Sequence, residues 1–225
     1  MAARGGQQRI PRPPSYRPGR PAPWGHLDPN ARHLGLDQVR ERLAALAPAS
    51  GPVPLVPGSR AAAVLVPLFE EDGETRVILT KRPETMPSHQ GEIAFPGGKH
   101  EPDLDPDLRA TALREAHEEI GLDPETVDVV ARLEGIATVA SRFVITPFVG
   151  FLPSRPLLTP DPREVVAVLD VPLSELMADG VYREERWDTW KADLDVHFYE
   201  LTGETVWGAT ARILTGFLAH VITGR

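Results

Sequence analysis

Phe95-Pro96-Gly97-Gly98-Lys99-His100-Glu101, followed by Ala112-Leu113-Arg114-Glu115-Ala116-His117-Glu118-Glu119-Ile120-Gly121-Leu122, decides the reading of this chain. The second half predicts a helix over residues 107–120, with Pro106 suited to its first turn and Gly121 to its C-terminal cap. At about 100° per residue, Glu115, Glu118 and Glu119 fall within about 100° of one another. Arg109, Leu113, Ala116 and Ile120 form a second, largely apolar face about 130° away. One stripe can therefore pack on a sheet while the other presents three carboxylates to a cleft. Such carboxylates repel one another unless a cation sits among them, and hard oxygen ligands suit Mg²⁺ or Mn²⁺. The bland alternative is a solvated helix face with an ordinary i, i+4 pair between Arg114 and Glu118. Arg-Glu-x-x-Glu-Glu-x-Gly arises by chance on the order of 10⁻⁶ times per starting position, which disfavours that alternative.

Outward from this stretch the chain alternates strands with a few helices. Residues 63–68 and 76–80 are apolar, β-branched runs separated by the acidic turn Glu70-Glu71-Asp72-Gly73. Residues 127–133, 143–151, 165–171 and 196–201 are further expected strands. Helices are expected at 173–177 and 208–222, the latter with Ala211, Leu214, Phe217, Leu218 and Val221 on one apolar face. The order is mixed, not a regular βαβ alternation, so a sheet flanked by helices fits better than a dinucleotide-binding fold.

The N-terminal end reads differently. Arg4, Arg9, Arg12, Arg17 and Arg20 stand among Pro11, Pro13, Pro14, Pro18, Pro21 and Pro23, with no acid before residue 26. Such a composition predicts a disordered Arg/Pro-rich tail over residues 1–34. Leu36, Val39, Leu43 and Leu46 recur at helical spacing, so residues 35–60 read as a short helix and a Pro/Gly/Ser linker. Residues 61–225 then form the main domain.

Composition narrows the possible functions. The net charge is −8, a poor match to duplex DNA phosphates. Cysteine is absent, which removes thiolate nucleophiles and cysteine-based zinc sites and accords with a reducing, cytoplasmic setting. No apolar run approaches about 18 residues, so no membrane span is expected, nor is a secretory signal.

Gly98 through Leu122 resembles the Nudix box, a glycine followed by an acid and then Arg-Glu-x-x-Glu-Glu-x-Gly. The resemblance implies an α/β fold, a Nudix-type α/β/α sandwich with a mixed β-sheet. It implies that Glu115, Glu118 and Glu119 bind metal and that Arg114 orients the carboxylates. The interval from Gly98 to Arg114 is longer than the family's usual spacing, and the intermediate acid falls on Pro106. Asp103, Asp105 and Asp107 are its possible substitutes, so no role is carried onto that position.

Ile78-Leu79-Thr80-Lys81-Arg82 and Ser88-His89-Gln90-Gly91-Glu92-Ile93-Ala94, leading into Phe95-Pro96-Gly97-Gly98, are similar to the upstream motif of coenzyme A pyrophosphatases within that family. Ile145-Thr146-Pro147 and Val206-Trp207-Gly208-Ala209-Thr210-Ala211-Arg212-Ile213-Leu214 resemble the same group. Pro83 and Pro87 depart from it, at positions where a small residue and an arginine are common. The resemblance implies cleavage of coenzyme A or an acyl derivative to 3′,5′-ADP and 4′-phosphopantetheine. NADH, ADP-ribose and oxidised nucleotides are the competing substrates, and a non-catalytic nucleotide-sensing module is the competing class. The catalytic candidates are Glu115, Glu119, Arg114 and Glu164, the last from Asp161-Pro162-Arg163-Glu164-Val165 at a strand entrance. Arg82, Lys81, Lys99, His89, Gly97 and Gly98 are the substrate-binding candidates. The expected partner is a small-molecule nucleotide substrate, and the family resemblance implies a homodimer. His117 reads as structural or exposed. Trp187, Trp190 and Trp207 would either stack a base or pack the core.

Overall fold

A computed structural model describes residues 4–44, 46, 58–86, 88–138, 142–188 and 193–223. In chain order its elements are β1 (Tyr16–Pro18), a 3₁₀ turn (Pro29–Arg32), α1 (Leu36–Leu43), β2 (Arg60–Glu71), β3 (Glu74–Lys81), β4 (Ile93–Ala94), β5 (Gly97–Lys99) and α2 (Leu108–Ile120). After a second 3₁₀ turn (Pro124–Thr126) come β6 (Asp128–Arg132), β7 (Ile136–Ala137), β8 (Phe143–Phe151), β9 (Ala167–Pro172) and α3 (Leu173–Leu176). The chain continues through β10 (Tyr182–Asp188), β11 (Asp193–Glu200), β12 (Thr205–Trp207) and α4 (Gly208–Thr223). Most of the linker after α1 lies outside the described residues, as do Pro87 and Trp190.

The β2–β3 hairpin closes through Asp72 and Gly73, both at positive φ, the geometry that matches the twist of a two-residue hairpin. β2 is the central strand. It pairs antiparallel with β3 and β5, and parallel with β8. β9 and β4 extend the sheet from β3, and β6 and β7 from β8, all antiparallel. The sheet is therefore mixed, as expected.

Alternation along β2 explains the layers, because successive side chains leave opposite faces. Ala63, Leu65 and Phe69 pack with Ala112, Ala116 and Ile120 of α2. Val66 and Leu68 face the other way, into a core shared with Val39 of α1 and Leu214, Phe217 and Leu218 of α4. Helices thus cover both faces, giving an α/β/α sandwich. Arg109, assigned by periodicity to the apolar face, is exposed, whereas Thr111 and Ala112 are buried. The face that meets the sheet is rotated by about one residue from the expected one.

A second, antiparallel sheet runs β1-β10-β11-β12. Its β10 was not expected, since Tyr182–Asp188 is mostly charged. Glu184 and Glu185 are nevertheless buried there, because arginines meet them.

Those arginines overturn the expectation of a disordered tail for residues 4–34. β1 pairs with β10. Arg12 meets Glu185 at 2.8 Å, and Arg20 meets Glu184 and Asp195. Trp24 is 1% exposed, with its ring against Tyr199 and Tyr182. Leu34 is buried too, and Arg32 donates to the carbonyls of Met177 and Leu27. The composition averages over these few anchors, each of which finds its partner more than a hundred residues away or in the distant core.

Candidate active site

The site grows from β5 and α2. Gly97 has φ +154, and a Cβ there would stand 2.4 Å from the Ala63 carbonyl oxygen, so only glycine lets β5 lie against β2. A Cβ on Gly98 would meet the Glu115 carboxylate at 2.4 Å. The glycine pair thus makes room for a helix carboxylate at the sheet edge.

Asp107 caps α2 by accepting from the Ala110 N–H at 2.8 Å, so Pro106 stands before the helix and not in its first turn. Gly121 ends the helix in the left-handed conformation, as expected.

Arg114 is the hub. Its Nε and Nη2 donate to the two oxygens of Asp105 at 2.8 and 3.0 Å. The same guanidinium reaches Glu115 and Glu118, each at 2.9 Å. Asp105 is 3% exposed and also accepts from Glu101 N–H and Thr111 Oγ1, whose oxygen lies 2.8 Å from His100 Nδ1. The Arg114 bonds hold the Asp105 carboxyl down at about 2. Among the three acids left open by the sequence, Asp105 is therefore the one that anchors Arg114, while Asp107 caps the helix and Asp103 is exposed. Sequence offered no signal for this choice, since all three acids lie on the loop that leads into the helix.

Glu119 is 3% exposed and accepts from the Gly97 N–H at 3.3 Å. Arg82 Nη1 lies 3.7 Å from it. Burial pushes the Glu119 carboxyl up to about 8; Arg82 and the Gly97 N–H oppose the shift, while Glu115 and Glu164 add to it. Burial also raises Glu115, with Arg114 opposing and Glu118 and Glu164 reinforcing. Glu164 arrives on a segment tied to the end of α2: Thr159 N–H donates to the Ile120 carbonyl and Asp161 N–H to that of Glu119. Its charge thus acts on both Glu115 and Glu119. Glu118 is the exposed member of the set.

These residues fit a divalent cation by chemistry. Neighbouring carboxylates raise both Glu115 and Glu119, a sign of too little positive charge nearby, and their oxygens are hard ligands. Among the described residues, no three acidic or histidine side chains converge on one point. Arg114 draws Glu115 and Glu118 toward itself, while Glu119 turns to Gly97.

The remaining candidates are scattered. Arg82 faces the box, and its buried Nε has no hydrogen-bond partner among the described residues. Lys81 instead pairs with Glu204 at 2.6 Å. Lys99 is exposed, its carbonyl accepting from Arg114. His89, at φ 57, sits 2.8 Å from Glu92, and that bond raises its pKa. His117 lies against the Leu122 carbonyl, a structural contact. Trp187 and Trp207 pack near each other beside β11. Arg212 lines a separate cleft with Glu134 and His197, which none of the box carboxylates borders.

Comparison with known proteins shows the family. The family model of the NUDIX domain matches residues 59–192, more than half of the chain. The chain belongs to the Nudix hydrolase family. It is 49% identical to Nudix hydrolase 22, chloroplastic, of Arabidopsis thaliana over 160 residues, 68% of this chain and 52% of that protein. It is 36% identical to the uncharacterized Nudix hydrolase NudL of Photorhabdus laumondii, over 72% of this chain and 86% of that one. To the peroxisomal coenzyme A diphosphatase NUDT7 of Mus musculus it is 38% identical, over 61% of this chain and 57% of that protein. The chain spans about half the length of its Arabidopsis relatives.

Proposed function

We propose that the chain hydrolyses a nucleoside diphosphate-X linkage with the help of Mg²⁺ or Mn²⁺, and that its substrate is coenzyme A or an acyl-coenzyme A. The observation that carries this reading is the pairing of the buried Glu119 and the half-buried Glu115 with the Gly97–Gly98 strand edge and an Arg114 fixed by Asp105. A solvated helix face has no use for any of these features.

Glu115, Glu118 and Glu119 would hold the ion. A bound divalent ion would neutralise charge on the diphosphate and lower the pKa of a bound water. Arg114, clamped by Asp105, sets the directions of Glu115 and Glu118. Arg82 offers its unpartnered Nε–H to a phosphate oxygen, a bond that a guanidinium makes well. Glu164 or a box glutamate takes the proton from the attacking water. Gly97 and Gly98 let β5 and the Glu115 carboxylate sit close together beside the site.

Two supports favour coenzyme A: the mouse relative's being a coenzyme A diphosphatase by name, and the motif from Ile78 to Gly98 that resembles coenzyme A pyrophosphatases. A cytoplasmic setting is proposed from the lack of cysteine. No helix among the described residues is long and apolar enough to cross a membrane.

The deciding experiment separates products by chromatography or phosphorus NMR, with Mg²⁺ or Mn²⁺ and five compounds: coenzyme A, acetyl-coenzyme A, NADH, ADP-ribose and 8-oxo-dGTP. Release of 3′,5′-ADP from coenzyme A or its acetyl derivative, faster than any cleavage of the other three, is the expected result. Preference for one of those three keeps the hydrolase and discards the substrate. Tight binding without turnover across all five points to a sensing module and overturns the enzyme.

A further inference from the structure

Asp105 holds Arg114, and the bonds that hold Asp105 reach back to the sheet. Its Oδ2 accepts from Arg114 Nη2 at 3.0 Å, from Glu101 N–H at 3.1 Å and from Thr111 Oγ1 at 2.9 Å. Thr111 is fully buried near the start of α2, three residues before Arg114. Its hydroxyl oxygen also lies 2.8 Å from His100 Nδ1. That nitrogen is 3.7 Å from Asp105 Oδ2, too far for a bond of its own, so Thr111 bridges the two. His100 follows β5, and its backbone N–H donates to the Ala61 carbonyl of β2 at 3.0 Å.

A hydroxyl has one proton to give. Two other neighbours of the Thr111 hydroxyl, the Asp105 carboxylate and the Asp107 carbonyl at 3.3 Å, can only accept. Asp105 is the nearer and is ionised down to about pH 2, so the proton goes to it. The Thr111 oxygen then has only lone pairs to offer His100, and Nδ1 must carry a proton. With Thr111 donating to His100 instead, an oxygen lone pair would face the buried carboxylate at 2.9 Å. His100 thus donates to Thr111 and Thr111 to Asp105, the carboxylate that Arg114 grips while it holds Glu115 and Glu118.

We infer that His100 is a positioning residue for the box: its Nδ1–H, relayed by the Thr111 hydroxyl, fixes Asp105 and so the direction in which Arg114 sets Glu115 and Glu118. The inference rests on the hydrolase reading above for its effect on turnover alone. A histidine that merely fills space beside α2 requires no particular ring nitrogen.

The first test needs neither metal nor substrate. In the metal-free chain, nitrogen-15 NMR of the neutral His100 ring finds the proton on Nδ1; a neutral ring protonated on Nε2 overturns the inference. The Arg114 Nε–H reports the far end. His100→Ala speeds its exchange with water about 3- to 10-fold, the worth of one hydrogen bond. His100→Asn, whose side-chain N–H can take the place of Nδ1–H, restores it. His100→Gln, whose amide falls where Nε2 stood, does not. In a Thr111→Val background His100→Ala has no further effect, because the relay is already cut. An equal effect with and without the Thr111 hydroxyl overturns the inference.

Turnover follows the same order. His100→Ala lowers kcat about 3- to 10-fold, less than the loss of a residue that touches Arg114, with KM within about two-fold and the Asn variant near the parent. Equal losses in the Ala, Asn and Gln variants mean that the ring only fills space. The exchange pattern found in a chain that cleaves no diphosphate upholds the relay and overturns the hydrolase reading alone.

Discussion

The loop and helix from Gly97 to Gly121 and the segment from Arg4 to Leu34 both depend on arginine–carboxylate pairs, yet the two use them differently. Arg114 and Asp105 are nine residues apart, bidentate, with Asp105 almost wholly buried. Arg17 meets Asp188 and Asp193, 171 and 176 residues away, with all three side chains about half exposed. In the box, charge pairing fixes geometry. In the N-terminal segment Arg12 and Arg20 reach the buried Glu185 and Glu184, whereas the Arg17 pair decorates a strand, β1, held by backbone bonds. The same chemistry is strong where water is excluded and weak where it is not.

The largest effect is expected at the carboxylates of α2. Glu119→Gln and Glu118→Gln lower kcat/KM by on the order of 10²- to 10⁴-fold while the protein stays folded. Near-normal turnover in both variants would sink the metal-site assignment. They part company in stability. The Glu119 carboxyl is raised to about 8 in the fold, so the protonated form is favoured there. Its favourable contribution is complete below its unfolded value, near 4.5, and is lost as pH rises through 8. Glu119→Gln therefore melts higher than the parent chain at alkaline pH in the absence of metal. Glu118, being exposed, shows no such gain.

Next comes Trp24, the test of whether the N-terminal segment packs as part of the domain. Trp24→Ala costs about 3–5 kcal/mol in urea unfolding, with turnover of the folded enzyme unchanged within about two-fold. A loss below about 1 kcal/mol would return residues 4–34 to the status of a solvated tail. Asp105→Asn follows on the box side, lowering kcat/KM about 10- to 100-fold because Arg114 loses the partner that orients it. Asp105 is held at about 2, below its usual 3.8. Its stabilising contribution is present above about pH 4 and lost as pH falls toward 2. The Asn variant lacks this acid-dependent loss.

The contrast also explains what could be read from the sequence. The helix that carries Arg114, Glu115, Glu118 and Glu119 and its Gly121 cap were legible because helix periodicity and capping link residues only a few positions apart. β8 was legible from its apolar run, and α4 from its periodicity. Asp105 was narrowed to three acids but not chosen, since a loop has no period to say which side chain turns inward. β10 was hidden by its charges. Trp24 and Glu204 were invisible as partners because a distant contact leaves no local pattern. Lys81 and Arg82 looked alike in sequence, but adjacent residues at the end of a strand face opposite ways.

The smallest effect is expected at Arg17, and it sharpens the contrast most directly. Arg17 is 57% exposed in its side chain, and its two acid partners are 46% and 52% exposed. Such pairs contribute about 0.2–1 kcal/mol at most and are screened by salt. The backbone pairing of Tyr16, Arg17 and Pro18 with Trp187, Arg186 and Glu185 does not need the guanidinium. Arg17→Ala should therefore shift the melting temperature by less than about 3 °C at low salt. At about 0.5 M salt the difference should vanish. A shift as large as that of Trp24→Ala, persisting in salt, would mean that the segment is held by its charges after all. The two regions would then obey one rule, and the exposure of Arg17 would be a poor guide to its energy.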